Sequence, residues 1–410
     1  MLSSQHRDIV KSTVPVLKQH GEAISAEFYR DLFATHPALF NIFNPANQRD
    51  GGQARSLAAS VLAYAANLDN LGALGGMVER IANKHGALEV QAEHYPIVGH
   101  HLLGAIRTVL KDAATDDIIA AWAAAYGQLA DIMIGREQQL YAAAAWQGFK
   151  PFRVERIVRE SETIQSIHLV PADGAPLPDF QPGQYLSLKV QVPGFPYAQI
   201  RQYSLSATPN GRSYRISVRR EDAPDAESPD GLVSNWLHQH VRPGDTLDIH
   251  APLGDFVLDD AATNPVVLLS GGSGITPVIA MLAHLAGGTR DIVFVHATIS
   301  RAHHAFGTEV RALVRRSGIK AVILYENIGT DDIAGVHHDE TGRINAEQLR
   351  PHLPAGADIY YCGPIGFVTA AEAALDALGI PADRRHSEAY APDPSFAIGS
   401  AEPLAQPQVV

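Results

Sequence analysis

The run Pro265-Val266-Val267-Leu268-Leu269-Ser270 leads straight into Gly271-Gly272-Ser273-Gly274-Ile275-Thr276-Pro277, and then into the apolar stretch Val278–Leu285. A strand with no polar alternation is buried on both faces, so helices must cover it above and below. Glycines at the strand end let backbone approach a ligand, and the N–H groups opening the next helix favour phosphate. Further runs, Ile292–Ala297, Ala321–Tyr325 and Asp358–Cys362, alternate with helical patterns. Residues 264–395 therefore read as an α/β doubly wound domain. Cys362-Gly363-Pro364 repeats the glycine at a later strand end, with Cys362 itself read equally well as a buried, inert thiol.

A chain of 410 residues is too long for one core, and two other patterns precede this one. In residues 151–260, the segments Phe152–Glu160, Thr163–Val170, Gln184–Val192, Gln199–Leu205, Tyr214–Arg220 and Thr246–Ile249 read as strands with Pro/Gly-marked turns, an antiparallel β-barrel. Within Arg201-Gln202-Tyr203-Ser204-Leu205, alternation puts Arg201, Tyr203 and Leu205 on one face. A cation two residues from an aromatic ring can hold a diphosphate and cover a flat heteroaromatic ring. Gly231–His238 is the one helical insert, and its start at Val233-Ser234 can offer N–H groups to a phosphate. The acidic loop Glu221–Asp230 reads as a solvated insertion.

Residues 1–140 are rich in Ala and Leu and poor in strand formers, and read as six or seven helices. Ser3 caps a helix through Val10, Val14 and Leu17, Gly21 punctuates it, and His36-Pro37 ends the next. Pro45–Gly52 is a turn-rich break. Helices follow over Gln53–Leu68, Met77–His85, Glu93–Leu110 and Asp116–Tyr141. Gln53 and Leu57, four apart, share a helical face. Such a domain could be an inert bundle; were it to hold a haem, the iron would need an axial ligand, usually a histidine, and His85 ends one helix. Tyr95 and Glu137 are candidates to orient its imidazole through the second ring nitrogen. Tyr141–Phe149 carries the last helix out, so residues 141–150 read as a linker and 396–410 as a disordered tail.

The net charge of −12 argues against nucleic acid and anionic membranes as main partners. One cysteine excludes an internal disulfide and fits a reducing, cytoplasmic compartment. No apolar h-region opens the chain and no run of some 18 apolar residues follows, so neither a secretion signal nor a membrane span is expected.

Arg201-Gln202-Tyr203-Ser204 resembles the flavin-binding signature of the ferredoxin-reductase-like oxidoreductases, and Gly272–Pro277 resembles their Gly-x-Gly-x-Thr-Pro loop. Asn41-Ile42-Phe43-Asn44, Asn47-Gln48-Arg49, Ala82-Asn83-Lys84-His85 and Tyr95-Pro96-Ile97-Val98-Gly99 resemble the globin of bacterial flavohaemoglobins, and the likeness spans residues 1–392. It implies haem b on proximal His85, with Tyr95 and Glu137 as a relay behind it. Tyr29 and Gln53 are the implied distal residues, Phe43 is implied to pack on the porphyrin, and Leu57 to cap the distal side. It implies FAD on Tyr185, Arg201, Gln202, Tyr203, Ser204, Val233 and Ser234. NADH or NADPH falls to Gly272, Ser273, Gly274, Ile275, Thr276, Pro277, Cys362, Gly363 and Pro364. Ala389, Tyr390, Ala391 and Pro392 take the place of the family's flavin-shielding aromatic segment, with Ala391 where a glycine is usual. Lys84 and Glu388 are implied to tune the flavin and haem potentials. Ser300-Arg301 carries a faint signal for a 2′-phosphate.

The implied activity is nitric oxide dioxygenation, NO and O2 to nitrate, at a haem re-reduced by NAD(P)H through FAD. A monomer is expected, with room for a lipid in the distal pocket. Two alternatives stay open on the residues: a haem-based O2 or redox sensor, and a general flavin-dependent reductase acting on alkyl hydroperoxides.

Overall fold

Helical propensity and capping set the start of the chain. In the computed structural model, which describes residues 2–44, 51–223, 225 and 228–390, the Ser3 hydroxyl accepts from His6 N and caps α1 (Ser4–Ser12). The helix stops at Thr13, whose hydroxyl bonds Val10 O at 2.6 Å and receives Trp122 Nε1–H at 3.2 Å. With Pro15 in its first turn, α2 then runs unbroken over Val14–Thr35. The expected break at Gly21 is therefore displaced eight residues upstream. Gly21 is buried mid-helix, and a Cβ there would stand 3.4 Å from Ala58 Cβ, so the glycine serves close helix packing.

The chain continues through α3 (Gly52–Ala66), α4 (Gly75–Ala87), α5 (His94–Leu110) and α6 (Asp116–Ala143). Among the described residues this makes six α-helices before residue 144. Their core joins Phe28, Leu32, Tyr64, Leu102 and Trp122. By length and apolarity α6 could cross a membrane. Its Trp122, Ala125, Met133 and Glu137 are buried in the helical unit, however, as in a core helix. Of the expected turn Pro45–Gly52, residues 45–50, with Asn47-Gln48-Arg49, lie outside the described residues, as do Ala391, Pro392 and the tail, while Gly52 already opens α3.

The chain divides into two compact units at Ala142/Ala143. The second opens with Trp146, which sits in the barrel core and donates to Ile249 O at 3.3 Å. Six strands follow: β1 (Phe149–Arg159), β2 (Ile164–Pro171), β3 (Tyr185–Val190), β4 (Gln199–Ser204), β5 (Tyr214–Arg219) and β6 (Thr246–His250). They pair antiparallel in the order β4-β3-β6-β1-β2-β5. A bridge from Leu205 to Ile216 brings the two edges together. Leu205 is thus fully buried in the barrel core and not offered beside Arg201 and Tyr203. Chain closure after Ser204 turns it inward. Helix α7 (Leu232–His240) plugs the barrel with Val233 and Leu237.

The last part is a parallel sheet ordered β10-β9-β8-β7-β11-β12. Its strands are β7 (Val266–Gly271), β8 (Ile292–Thr298), β9 (Lys320–Tyr325), β10 (Glu340–Thr341), β11 (Asp358–Gly363) and β12 (Arg385–Ala389). Helices α8 (Ile275–Leu285), α9 (Gly307–Ser317), α10 (Ala346–Leu349) and α11 (Ile365–Ala377) connect them. The strand order turns between β7 and β11, and the crevice beyond such a switch point is where ligands bind in open α/β sheets.

Two histidines tie the reductase-like unit to pH. Burial, then Arg156 and Arg215, pushes His168 down to about 4. Burial, then Arg311, does the same to His304. Between pH 6.5 and 4 the unfolded chain binds protons at these sites that the folded unit does not. Stability is therefore complete above about pH 6.5 and declines as the pH falls towards 4, by at most about 3 kcal/mol per histidine. Urea midpoints across this window should fall in the parent and fall less steeply in His168→Asn/His304→Asn, with buried His296 keeping part of the slope. An equal slope in both would refute the assignment.

Candidate functional site

In the helical unit, three helices converge on one carboxylate. His85 sits in the last turn of α4, Tyr95 in the first turn of α5, and Glu137 on the buried face of α6. Glu137 Oε1 stands 2.7 Å from His85 Nδ1 and 2.5 Å from the Tyr95 hydroxyl, and the two partners are 3.2 Å apart. Burial, followed by the Glu137 carboxylate, drives the Tyr95 phenol far above its ordinary range, so it keeps its proton and donates. Oε1 therefore accepts from both Tyr95 O–H and His85 Nδ1–H. The tautomer that results carries its lone pair on Nε2, the form in which imidazole ligates a metal. Tyr126, which the sequence reading missed, locks α5 by donating to Tyr95 O at 2.7 Å. Gly99 makes room for it, since a Cβ there would lie 2.6 Å from the Tyr126 ring. A glycine inside a helix costs about 1 kcal/mol relative to Ala, and that cost was the available signal.

A second cluster is built from α2, the segment after it, and α3. Tyr29 is buried and ringed by Phe28, Phe33 and Phe43, with centroids at 4.7, 5.8 and 5.9 Å. Burial pushes its phenol up to about 12, opposed by a hydrogen bond with Gln53. Leu57 and Phe43, both half-buried, pack against the same core. The chemistry of both clusters fits a haem: one histidine nitrogen presented with its lone pair, and a protonated phenol with an amide inside an aromatic, apolar pocket. Lys84, next to His85, is exposed.

In the second unit, β4 ends one edge of the barrel sheet and presents half-buried Arg201 and Tyr203, with Gln202 exposed on the other face. Arg201 donates to Ile200 O at 2.8 Å and Gln199 Oε1 at 3.1 Å, both neutral acceptors. Burial lowers its pKa, so the guanidinium gains from an anion. Burial raises the Tyr203 phenol despite Arg201, and raises that of Tyr185 well above its ordinary value, with Glu388 adding to the rise. Val233 and Ser234 are buried in the first turn of α7, and the Ser234 hydroxyl is engaged with Glu221 N at 3.2 Å. Backbone N–H groups are therefore what this turn has to offer a phosphate. This donor set fits a flavin dinucleotide.

The glycine loop lies at the switch point. Gly272 has φ +50° and open space where its Cβ would be. At Gly274 a Cβ would fall 1.9 Å from Cys362 O, so the loop and the end of β11 pass backbone to backbone. Gly363 and Pro364 follow at that crossing, and Ser273, Ile275, Thr276 and Pro277 are buried beside it. Such a cradle fits a pyridine dinucleotide. Tyr390, predicted only as a shielding ring, joins the two halves of this unit. Its hydroxyl is 3.1 Å from Ser204 Oγ and 2.8 Å from Thr276 Oγ1. Glu388 and Ala389 lie on β12, paired with Cys362 and Gly363. Burial raises the Cys362 thiol well above its ordinary value, so it stays a thiol.

Three family models match the chain: Globin over residues 26–133, Oxidoreductase FAD-binding domain over 157–258, and Oxidoreductase NAD-binding domain over 268–373. The flavohemoprotein of Deinococcus radiodurans is 54% identical over 97% of this chain and 99% of its own. A crystal structure of flavohemoglobin from Malassezia yamatoensis with bound FAD and heme aligns with a TM-score of 0.82 at 27% identity, covering 95% of this chain and 99% of that one. The flavohem-like FAD/NAD binding domain of nitric oxide dioxygenase from Vibrio cholerae aligns with a TM-score of 0.55 at 38% identity, over 60% of this chain and 99% of that one.

The two loop glycines should separate under substitution. Gly274→Ala meets backbone and should cost about 3 kcal/mol. Gly272→Ala meets open space and strains only φ, at about 1 kcal/mol. Denaturant midpoints of equal size for the two would contradict the crossing described here.

Proposed function

The chain belongs to the flavohemoprotein family, and from that premise we propose that it is an NAD(P)H-dependent nitric oxide dioxygenase, converting NO and O2 to nitrate. The observation that carries this reading is the 2.7 Å bond between His85 Nδ1 and the buried Glu137 carboxylate. When bound, haem supplies an iron that takes O2 and single electrons, FAD accepts a hydride and passes electrons on singly, and the nicotinamide supplies the hydride.

The residues set the conditions for that chemistry. His85 offers Nε2 to the iron, and the carboxylate behind it makes the imidazole a stronger donor, suited to oxygen activation rather than storage. Tyr29 keeps its proton and, with Gln53, can stabilise negative charge developing on substrate oxygen in a dry pocket. Phe43 and Leu57 wall that pocket. Arg201 holds the flavin diphosphate, assisted by the Val233 and Ser234 N–H groups, while Tyr185, Tyr203 and Ser204 meet the ring. Gly272, Ser273, Gly274, Ile275, Thr276, Pro277, Gly363 and Pro364 cradle the nicotinamide dinucleotide. Tyr390, after Ala389, shields the flavin. Lys84 and Glu388 contribute charge that tunes the two potentials.

We further infer a division into a haem part (1–140), a connection (141–150), a flavin part (151–260) and a nucleotide part (264–395), supported by the break at Ala142/Ala143 and by the ranges of the three family models. A monomeric, cytoplasmic enzyme completes the proposal. The lone, buried Cys362 supports the compartment.

Stopped-flow NO consumption under air with NADH tests the reading. Tyr29→Phe should lower it about 10- to 100-fold, with NADH-driven cytochrome c reduction unchanged. Undiminished NO turnover would remove Tyr29 from the chemistry. His85→Ala should abolish the Soret band and retain the flavin spectrum; an intact Soret band would transfer the ligand role elsewhere.

A further inference from the structure

The packing of α4 on α6 is held by apolar groups and aimed by polar ones. Ala82 on α4 and Ala130 and Met133 on α6 are buried in one cluster, with Val78 and Ile134 packed beside them. Such contact is non-directional, so it keeps two helices together without choosing their register. Two polar contacts make that choice. One is the bond between His85 and Glu137. The other joins Arg136, the residue before Glu137, to Glu79, six residues before His85.

All three guanidinium nitrogens of Arg136 donate. Nε meets Glu79 Oε2 at 2.6 Å, Nη2 meets Glu79 Oε1 at 2.7 Å, and Nη1 reaches Gln139 Oε1 at 3.1 Å. The first two form a bidentate fork, which fixes direction as well as distance. Asn83 also holds the carboxylate: its Nδ2 donates to Glu79 Oε1 at 2.9 Å and to Glu79 O at 3.0 Å. Asn83 is 3% exposed and stands two residues before His85. The network therefore runs from the residue beside Glu137 back into the turn that presents His85.

With side chains 32% and 35% exposed, Arg136 and Glu79 add little stability as an ion pair. Their use is geometric. Consecutive residues leave a helix about 100° apart, so Arg136 and Glu137 reach α4 in two directions. Their partners, Glu79 and His85, stand about 9 Å apart along the axis of α4. A single bond from Glu137 would let α6 roll about it, and the fork at Arg136 removes that freedom. We propose that Glu79, Arg136 and Asn83 are positioning residues, which hold the Glu137 carboxylate on His85 and so set how strongly the imidazole donates to iron. The inference rests on His85 being the haem ligand.

The test is resonance Raman spectroscopy of the ferrous, flavin- and haem-loaded full chain, reading the stretch of the iron–His85 bond. Glu137→Gln gives the reference for an imidazole without its carboxylate. Glu79→Ala and Arg136→Ala should each lower the band toward that reference. The double variant should lower it no further than either single one, because the two side chains act as one contact. Arg136→Lys keeps the charge without the fork and should lower it too. NO turnover should fall about tenfold in each, with NADH-driven cytochrome c reduction unchanged. Melting temperatures confirm folding, and Glu79→Gln stands in for Glu79→Ala if that variant is lost. A parent band that none of the folded variants moves overturns the positioning role and leaves the haem reading intact. A parent with no iron–histidine band overturns both.

Discussion

One oxygen atom carries the helical unit's chemistry. Glu137 Oε1 accepts from His85 and Tyr95 inside a core where Glu137 is 2% exposed. A carboxylate so deep is tolerable only when charge-assisted hydrogen bonds replace its lost water. Those same bonds come from two other helices, so satisfying the charge fixes α4 and α5 against α6. The orientation of His85 is then a by-product of stability. Any change that loosens the core at Tyr126 or Gly99 also turns the imidazole.

The second unit meets the same requirement with neutral groups. Ser166, Ser206 and Ser217 bond one another at 2.8 and 2.7 Å inside the barrel, and Ser270 pairs with His296 at 2.9 Å in the parallel sheet. Hydroxyls can donate and accept, so such chains cost little in an apolar interior. Arg201 adds a cation to these neutral groups: half-buried on β4, it donates to Ile200 O and Gln199 Oε1 of its own strand.

Most of the fold was legible because periodicity and turn residues act locally. The barrel strands, β7, β8, β9 and β11 of the parallel sheet, and the helices from Gly52 to Ala143 fall within a few residues of their sequence boundaries, whereas the two-residue β10 was not read. The misreadings share a cause. Gly21 reads as a helix stop, yet it serves an α2–α3 contact that appears only once Ala58 is in place. Leu205 reads as a continuation of its strand's face, yet barrel closure onto Ile216 buries it. The site was legible largely through family resemblance, since no spacing rule links residues 85, 95 and 137. Tyr126 and the Glu79–Arg136 pair escaped for the same reason: each is assembled by tertiary contacts across distant segments.

Tyr390 shows how far geometry can extend such a resemblance. A phenylalanine at this position could shield a flavin as well as a tyrosine, by area alone. The hydroxyl adds a choice. It meets Ser204 on the barrel strand at 3.1 Å and Thr276 on the nucleotide loop at 2.8 Å. A ligand that needs either hydroxyl must displace that bond, and each such bond is worth about 1 kcal/mol net. Burial raises the phenol well above its ordinary range, so the proton stays throughout the physiological pH range. The ring is therefore held by two neutral hydrogen bonds, a restraint small enough to yield to a ligand that offers Ser204 or Thr276 another partner.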